Sequence, residues 1–546
     1  MLTLRRPGRL AAVLLAAVTA LTACGPKDEG SGPAGDAEPA KTLNIVAGSE
    51  QRSILDQVVV PWCESKGYTC NYTLLGSVDQ ARLLQSGGGE HDAFWFASSV
   101  FSQLGNTNGQ LTDVKPMFLT PVVYAGFKPT MQKLGMVGKD VTAAQIIASV
   151  ESKQAKTWAT NPTQSNSGAT TLFSFLNHFA GNPPGQALTA AQLKSEPVVK
   201  GMQTFIQSIE RTPPSTGTMM DDCLANPDAC QTMFTYEDLV IEKNLELVKQ
   251  GKEPLYVAYP RGAMAISDAP LGFAKRGQAD EAAKHAIFIE LQNHLLKDKD
   301  ALAKVQGLGR RPAGGVGLSL ANADPKVFNP DWGIKATLKD RGVTFPSAPV
   351  IEAALNSYHT TFRKPVHLFY CLDSSGSMTS NGGWDGVKEA AEALFDPDQA
   401  KKNLLQTASQ DITEVAIFNG DVVGGPWRVN GNADADLRNL QSSVVNHDAG
   451  GGTNMYACLF RAASALQGTD AKHKKLVVVM SDGQSENSQH DVAMAAIKKT
   501  GAPVVTIAFG SDADPNQMQE VATSTNGSFV QKDNMVAALR EAAGYR

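Results

Sequence analysis

From residue 42 onward, short apolar runs alternate with longer stretches in which apolar residues recur every three to four positions. TLNIVAG (42–48) reads as a strand, SEQRSILDQVVVPWCESKG (49–67) as a helix, and CNYTLLG (70–76) as a second strand. VDQARLLQSG (78–87) reads as a helix and HDAFWFAS (91–98) as a third strand. Strand–helix units joined by polar, glycine-bearing turns predict a parallel α/β sheet. Ligands of such sheets bind beyond the carboxyl ends of the strands. That rule selects Ser49 and Glu50 after the first strand, Ser77 after the second and Ser98 after the third.

A second series begins at VHLFYCL (366–372), a near-continuous apolar run of the kind buried on both faces of a parallel sheet. Helices are predicted over 385–395, 398–408, 434–445, 454–467, 487–499 and 535–544. Strands are predicted at EVAIFNG (414–420), KLVVVMS (475–481) and APVVTIAFG (502–510). Together these make a doubly wound α/β domain over 362–546, about 180 residues and so of ordinary domain size. Between the two series, residues 321–361 carry Pro325, Pro330, Pro346 and Pro349. They read as a connector packed on one of its neighbours.

The start of the chain has a different character. Arg5, Arg6 and Arg9 precede the apolar stretch AAVLLAAVTALTA, which is too short to span a membrane, and Cys24 follows at once. Leu21-Thr22-Ala23-Cys24 resembles a bacterial lipoprotein box. By that resemblance residues 1–23 are a signal peptide and Cys24 takes a diacylglycerol. Residues 24–41, rich in Gly, Pro, Ala and charge, then form a flexible tether. The resemblance implies an extracytoplasmic chain anchored to a membrane.

Length and composition agree with a multi-domain globular protein. The chain has 546 residues, 42% hydrophobic and 19% charged, with net charge −5. Removing the three leading arginines leaves 46 basic residues against 54 acidic, a net charge of −8. Without a basic stripe, nucleic acid is excluded as a partner. In an oxidising compartment the short spacings of Cys63 with Cys70 and Cys223 with Cys230 predict two local disulfides. Cys371 and Cys458 are either a third pair or two small buried hydrophobes. A zinc site is not expected, because no Cys-x-x-Cys occurs and the nine histidines are scattered.

The first series resembles the opening lobe of a type II bacterial solute-binding protein, the receptor class of ABC importers. FLTPVVYAGFK (118–128) resembles that family's crossing into a second lobe, and PLYVAYPRGAMAISDAPLGFAK (254–275) its return. The stretch 282–313, ending Gly-Arg-Arg-Pro-Ala, resembles its closing helices and turn. The resemblance covers about half the chain, residues 42–320, and implies two lobes around a cleft. In the second lobe Ser165, Ser167 and Gly168 open a helical run, an arrangement that either caps the helix or holds a ligand such as an oxyanion. The resemblance favours ligand contact there. Glu50 and Glu237, both acidic and near the expected cleft, argue against an anion, and the solute's charge stays open.

Asp373, Ser375 and Ser377 leave the end of the first strand of the second series. GGGTN brings Thr453 and VVVMSDG brings Asp482 to the same end of the sheet. Three hydroxyls and two carboxylates suit a hard divalent cation, Mg²⁺ or Mn²⁺. These residues resemble the metal-ion-dependent adhesion site (MIDAS) of a von Willebrand factor type A (VWA) domain. By that resemblance Ser375 and Ser377 bind the metal directly, Thr453 directly or through water, and Asp373 and Asp482 mainly through water. A serine hydrolase is disfavoured: the G-x-S-x-G elbow is absent, and His447, the nearest histidine to Thr453, reads as a loop residue.

The sequence therefore predicts a lipid-anchored, non-enzymatic protein. Its first module binds a small solute, and its second binds an unknown protein or surface partner that supplies a carboxylate to the metal. The alternative is the solute receptor of an ABC importer carrying an accessory VWA domain.

Overall fold

The computed structural model describes residues 41–313, 318–320, 322–380, 382–482, 485–508, 515–531 and 535–545. The expected signal peptide, Cys24 and all of the expected tether before Lys41 lie outside the described residues.

Strands β1 (Thr42–Ala47), β2 (Thr69–Leu74) and β3 (Ala93–Trp95) run parallel. After β4 (Leu111–Pro116) the chain passes through Met117 into the long β5 (Phe118–Phe127) of a second sheet. That sheet gathers β6 (Thr157–Trp158), β7 (Thr232–Tyr236), β8 (Leu255–Ala258) and β9 (Ile266–Ser267). The chain then returns through Asp268 and Ala269 to β10 (Pro270–Ala274), which lies antiparallel between β3 and β4. The first sheet thus has the order β2-β1-β3-β10-β4. The second, completed by β11 (Arg311–Pro312), has the order β11-β5-β7-β6, with β8 and β9 also on β5. Two crossings side by side, bonded from Met117 N to Ala269 O (3.2 Å), join two lobes.

The helix expected over 49–67 is broken into a 3₁₀ turn (Ser49–Gln51), a single α turn, a π turn (Leu55–Val59) and a helix from Val60. Pro61 has no N–H to return to the preceding turn, and the ladder widens just before it.

The segment 322–361 is absorbed into the two-lobed half. Val327, Phe328, Trp332 and Ile334 enter the core of the second lobe. Ile351, Leu355, Tyr358 and Phe362 enter the core shared by both lobes.

The third sheet has the order β14-β13-β12-β15-β16-β17. Its strands are β12 (Val366–Asp373), β13 (Ile412–Phe418), β14 (Val422–Asn430), β15 (Lys474–Ser481), β16 (Val504–Ala508) and β17 (Phe529–Gln531). All are parallel except the edge strand β14. As the apolar run predicted, β12 is buried on both faces. Leu368, Tyr370 and Leu372 face one core, while Phe369 and Cys371 face the other. Cys371 is bonded to Cys458, tying β12 to the helix Met455–Gln467. The other pairs are Cys63–Cys70 and Cys223–Cys230.

Four further elements differ from expectation. The helix predicted over 398–408 ends at Asn403, where Leu404 takes the left-handed conformation (φ 53°). β14 was not anticipated: VVGGPWRVN contains Gly-Gly-Pro, punctuation that an edge strand tolerates. The helix Pro515–Ser524 and the three-residue β17 were also not anticipated.

Candidate functional site

A cavity of about 280 Å³ lies where the two lobes meet, lined by Ser49, Glu50 and Ser77 from the first and by Ser165 and Asn166 from the second. The strand-end rule places the first three: Ser49 and Glu50 follow β1, and Ser77 begins the helix Ser77–Gln85 after β2. Ser165 caps the helix Asn166–Phe179 without using its side chain on the helix, so its hydroxyl, 3.1 Å from Thr216 Oγ1, faces the cavity wall. A second hollow of about 520 Å³ adjoins it, sharing Ser49, Leu74, Ser215 and Thr218.

Two lining residues each carry a buried acceptor that lacks a donor. Glu50 is 7% exposed, and its Oε1 has no partner among the described residues. Asn166 donates to Tyr236 Oη (2.6 Å) and Ser267 Oγ (3.0 Å), leaving its Oδ1 equally unpaired. Burial raises the Glu50 carboxyl from its ordinary 4.5 to about 7; Asp238 adds to the shift and Arg310 opposes it.

Four residues selected from the sequence do not line this cavity. Ser98 is fully buried, its Oγ accepting from Val100 N, and Asp268 of the return crossing already takes Ser99 N at 2.7 Å. That helix end is thus occupied by a protein carboxylate. Ser167 bonds Thr160 and Thr216 (both 2.8 Å). Gly168 sits where a Cβ would lie 2.1 Å from Thr160 O, so it serves close packing. Glu237, fully buried, is clamped by Arg311 (2.7 and 2.8 Å) and by the hydroxyl of Tyr259. Sequence spacing brought these residues near the cleft but could not show that internal partners use them. Asp79, Asn166, Ser215 and Arg540 line the cavity and were not anticipated. Asp79 lay within a predicted helix, and Arg540 belongs to the far end of the chain.

A second cluster forms at the carboxyl ends of β12 and β15. Asp373 is fully buried; its Oδ1 accepts from Ser375 N (2.8 Å) and its Oδ2 from Ser481 Oγ. Ser375 Oγ lies 3.1 Å from Ser377 Oγ, which donates to Asp482 Oδ1 at 2.9 Å. The loop bearing Thr453 is tied alongside by Gly376 N to Gly451 O (3.0 Å) and Gly450 N to Ser374 O (2.6 Å). Gly451 takes φ +95° against Asn419, a close approach that a side chain would block. Burial raises the Asp373 carboxyl to about 6, and the neighbouring Asp482 adds to the shift.

This donor set fits a hard divalent cation. It is all oxygen, and neither carboxylate is in an ion pair among the described residues. No group of three or more His, Cys, Asp or Glu side chains that could hold a metal occurs among the described residues; here two carboxylates stand with hydroxyls. Ser375, Ser377, Thr453, Asp373 and Asp482 are the residues that would hold the ion.

Residues 367–543 match the family model of the von Willebrand factor type A domain, and the C-terminal part of the chain is a VWA domain. No curated protein sequence matches the chain. Among solved structures, a von Willebrand factor type A protein from Catenulispora acidiphila is 16% identical (TM-score 0.29). The match covers 34% of this chain and 42% of that one, so this chain spans less than half of that relative's length. A ferric binding protein from Campylobacter jejuni is 12% identical over 58% of this chain and 98% of that one (TM-score 0.41). The sulfate-binding protein SubI from Mycobacterium tuberculosis H37Rv is 14% identical over 51% and 88% (TM-score 0.38).

Proposed function

We propose that the chain is an extracytoplasmic, membrane-anchored, non-enzymatic binding protein that takes a small solute in the cavity between its lobes and a protein or surface partner at a Mg²⁺ or Mn²⁺ ion on its VWA domain. The observation that carries this reading is the cavity itself: it lies beyond the strand ends, and both lobes contribute its lining. Its volume suits a solute of a few heavy atoms. The acidic lining, Glu50, Asp79 and Glu541 against Arg540 alone, with the buried unpaired acceptors of Glu50 and Asn166 behind it, favours a solute that donates hydrogen bonds, an amine or a polyhydroxyl compound, over an oxyanion.

Three disulfides support an oxidising compartment. Anchoring rests on Cys24: Cys24→Ala is expected to move the protein to the soluble fraction, and its persistence on membranes would refute the anchor. The non-enzymatic reading is supported by the environment of His447, whose ring packs edge-on against Trp384 (6.0 Å) rather than on Ser375 or Ser377. A divalent cation, when bound, supplies a positive centre that an acidic side chain of a partner completes. Asp373 and Asp482 would hold that centre together with the hydroxyls of Ser375 and Ser377.

The solute reading is tested by thermal unfolding of the full chain with amino acids, polyamines, sugars and polyols, and with sulfate and phosphate as the oxyanion arm. Stabilisation by a donor-bearing solute is expected; stabilisation by the oxyanions alone would reverse the assigned chemistry.

Glu50→Gln gives a second expectation. A buried carboxyl raised from 4.5 to about 7 contributes stability that is full below pH 4.5 and lost as pH rises through 7. Glu50→Gln therefore raises stability at pH 8 by about 2 kcal/mol, leaves it little changed at pH 4.5, and abolishes stabilisation by an amine. Denaturation at the two pH values checks the sign; a loss of stability at pH 8 would contradict it.

A further inference from the structure

The cavity has a third wall, and it comes from the VWA domain. Ala537, Arg540 and Glu541 of the last helix, Met535–Ala543, line it beside the residues of the two lobes. The helix is no loose tail: Ala538, Leu539 and Ala542 are buried in the VWA core with Leu372 and Val387. Its other face is fixed to the solute-binding half. Arg540 is buried and ion-paired with Asp79 on the helix that follows β2, while its Nε donates to Asn403 O (3.1 Å) within its own domain. Gln164 of the second lobe donates to Arg540 O, so one residue is held by both lobes at once. The chain end continues the contact: Thr212 Oγ1 donates to Gly544 O (2.9 Å), and Arg211 donates to Tyr545 Oη (3.1 Å) while lying 4.9 Å over Trp158.

We propose that the solute site is three-walled and is closed by the last helix of the VWA domain, so that a bound solute touches both modules and entry requires this helix to leave the Asp79–Gln164 seat. The proposal rests on the solute reading above and adds specificity residues to it. Of the charged residues around the cavity, Glu50, Asp79 and Glu541 are acidic and only Arg540 is basic, with Asp79 already its partner. The third wall therefore adds to the same preference for a donor-bearing, neutral or cationic solute. It also means that a solute that fills the cavity bears directly on how the VWA domain is seated. Either module can then report the state of the other through one ion pair, between the buried Arg540 and the half-buried Asp79.

The test uses no solute, so its failure and that of the solute reading are separable. Ser165→Cys in the full chain places a thiol on the cavity wall, and maleimide labelling at that position is followed by peptide mass spectrometry. With the native helix, labelling is expected to be slow. Arg540→Glu, which sets like charges against each other at Asp79, should accelerate it at least about tenfold, a modest fraction of what breaking a buried ion pair can cost. Adding Asp79→Arg to Arg540→Glu should return the rate toward the native value. If Arg540→Glu does not fold, Arg540→Ala is read in the same way. Equal rates in a folded variant, fast labelling of the native chain, or acceleration that the charge swap does not reverse would each overturn the third wall.

Discussion

Arg311→Ala is expected to destabilise the protein by about 3–5 kcal/mol, the usual cost of stripping one partner from a buried ion pair. Arg311 is fully buried, and its guanidinium is saturated. It holds Glu237 with two bonds (2.7 and 2.8 Å) and donates to the carbonyls of Leu318, Lys335 (2.6 Å) and Ala336 (3.1 Å), with Phe328 5.3 Å beneath it. One side chain therefore fastens β11 to the helix Glu237–Lys249 and to the segment that leaves the second lobe. Truncation would leave the Glu237 carboxylate buried with the Tyr259 hydroxyl as its remaining partner, and three carbonyls would lose a donor. Replacing both charges, Arg311→Met with Glu237→Leu, removes the orphaned charge and should recover a large part of the loss. Urea denaturation of the single and double variants measures this. A single variant that loses less than about 1 kcal/mol would show that the clamp contributes little.

Asp373→Asn is expected to weaken Mg²⁺ binding about 10- to 100-fold while the fold survives. The carboxylate is positioned by Ser375 N on one oxygen and Ser481 Oγ on the other, and the strand behind it is held by its own apolar side chains. In chelator the variant should unfold at the same temperature or slightly higher, because a buried acid no longer faces Asp482. Calorimetric titration decides it. Equal affinity in the variant, or no Mg²⁺ or Mn²⁺ binding by the native chain even with an acidic peptide supplied, would mean that the oxygen cluster is not a metal site.

Most of this architecture was legible because periodicity reports burial. VHLFYCL could only be a strand covered on both sides, and β12 has a core on each face. The oxygen cluster was legible for a related reason: two short motifs at the ends of neighbouring parallel strands must lie side by side, with the GGGTN loop that opens a helix beside them. The cavity lining was half legible. Strand ends located Ser49, Glu50 and Ser77 and a helix start located Ser165, but sequence spacing cannot show that Asp268 takes the helix end at Ser99 or that Arg311 takes Glu237. Arg540 was beyond reach for a simpler reason. It lies 461 residues from Asp79 in the chain, and nothing local in EAAGYR or its helix says which surface it meets. β14 was hidden by Gly-Gly-Pro, which signals a turn everywhere except on an edge.

The cavity between the lobes is expected to hold a small solute in the native protein. Native mass spectrometry of the full chain, purified without added ligand and compared with the same protein after unfolding and refolding in buffer, tests it most directly. The account predicts a small donor-bearing molecule that is bound before stripping, absent after it, taken up again when the extracted compound is returned, and not retained by Glu50→Gln. A native chain that carries no adduct, and that takes up no compound from the amine, polyol and oxyanion panel after stripping, would contradict it.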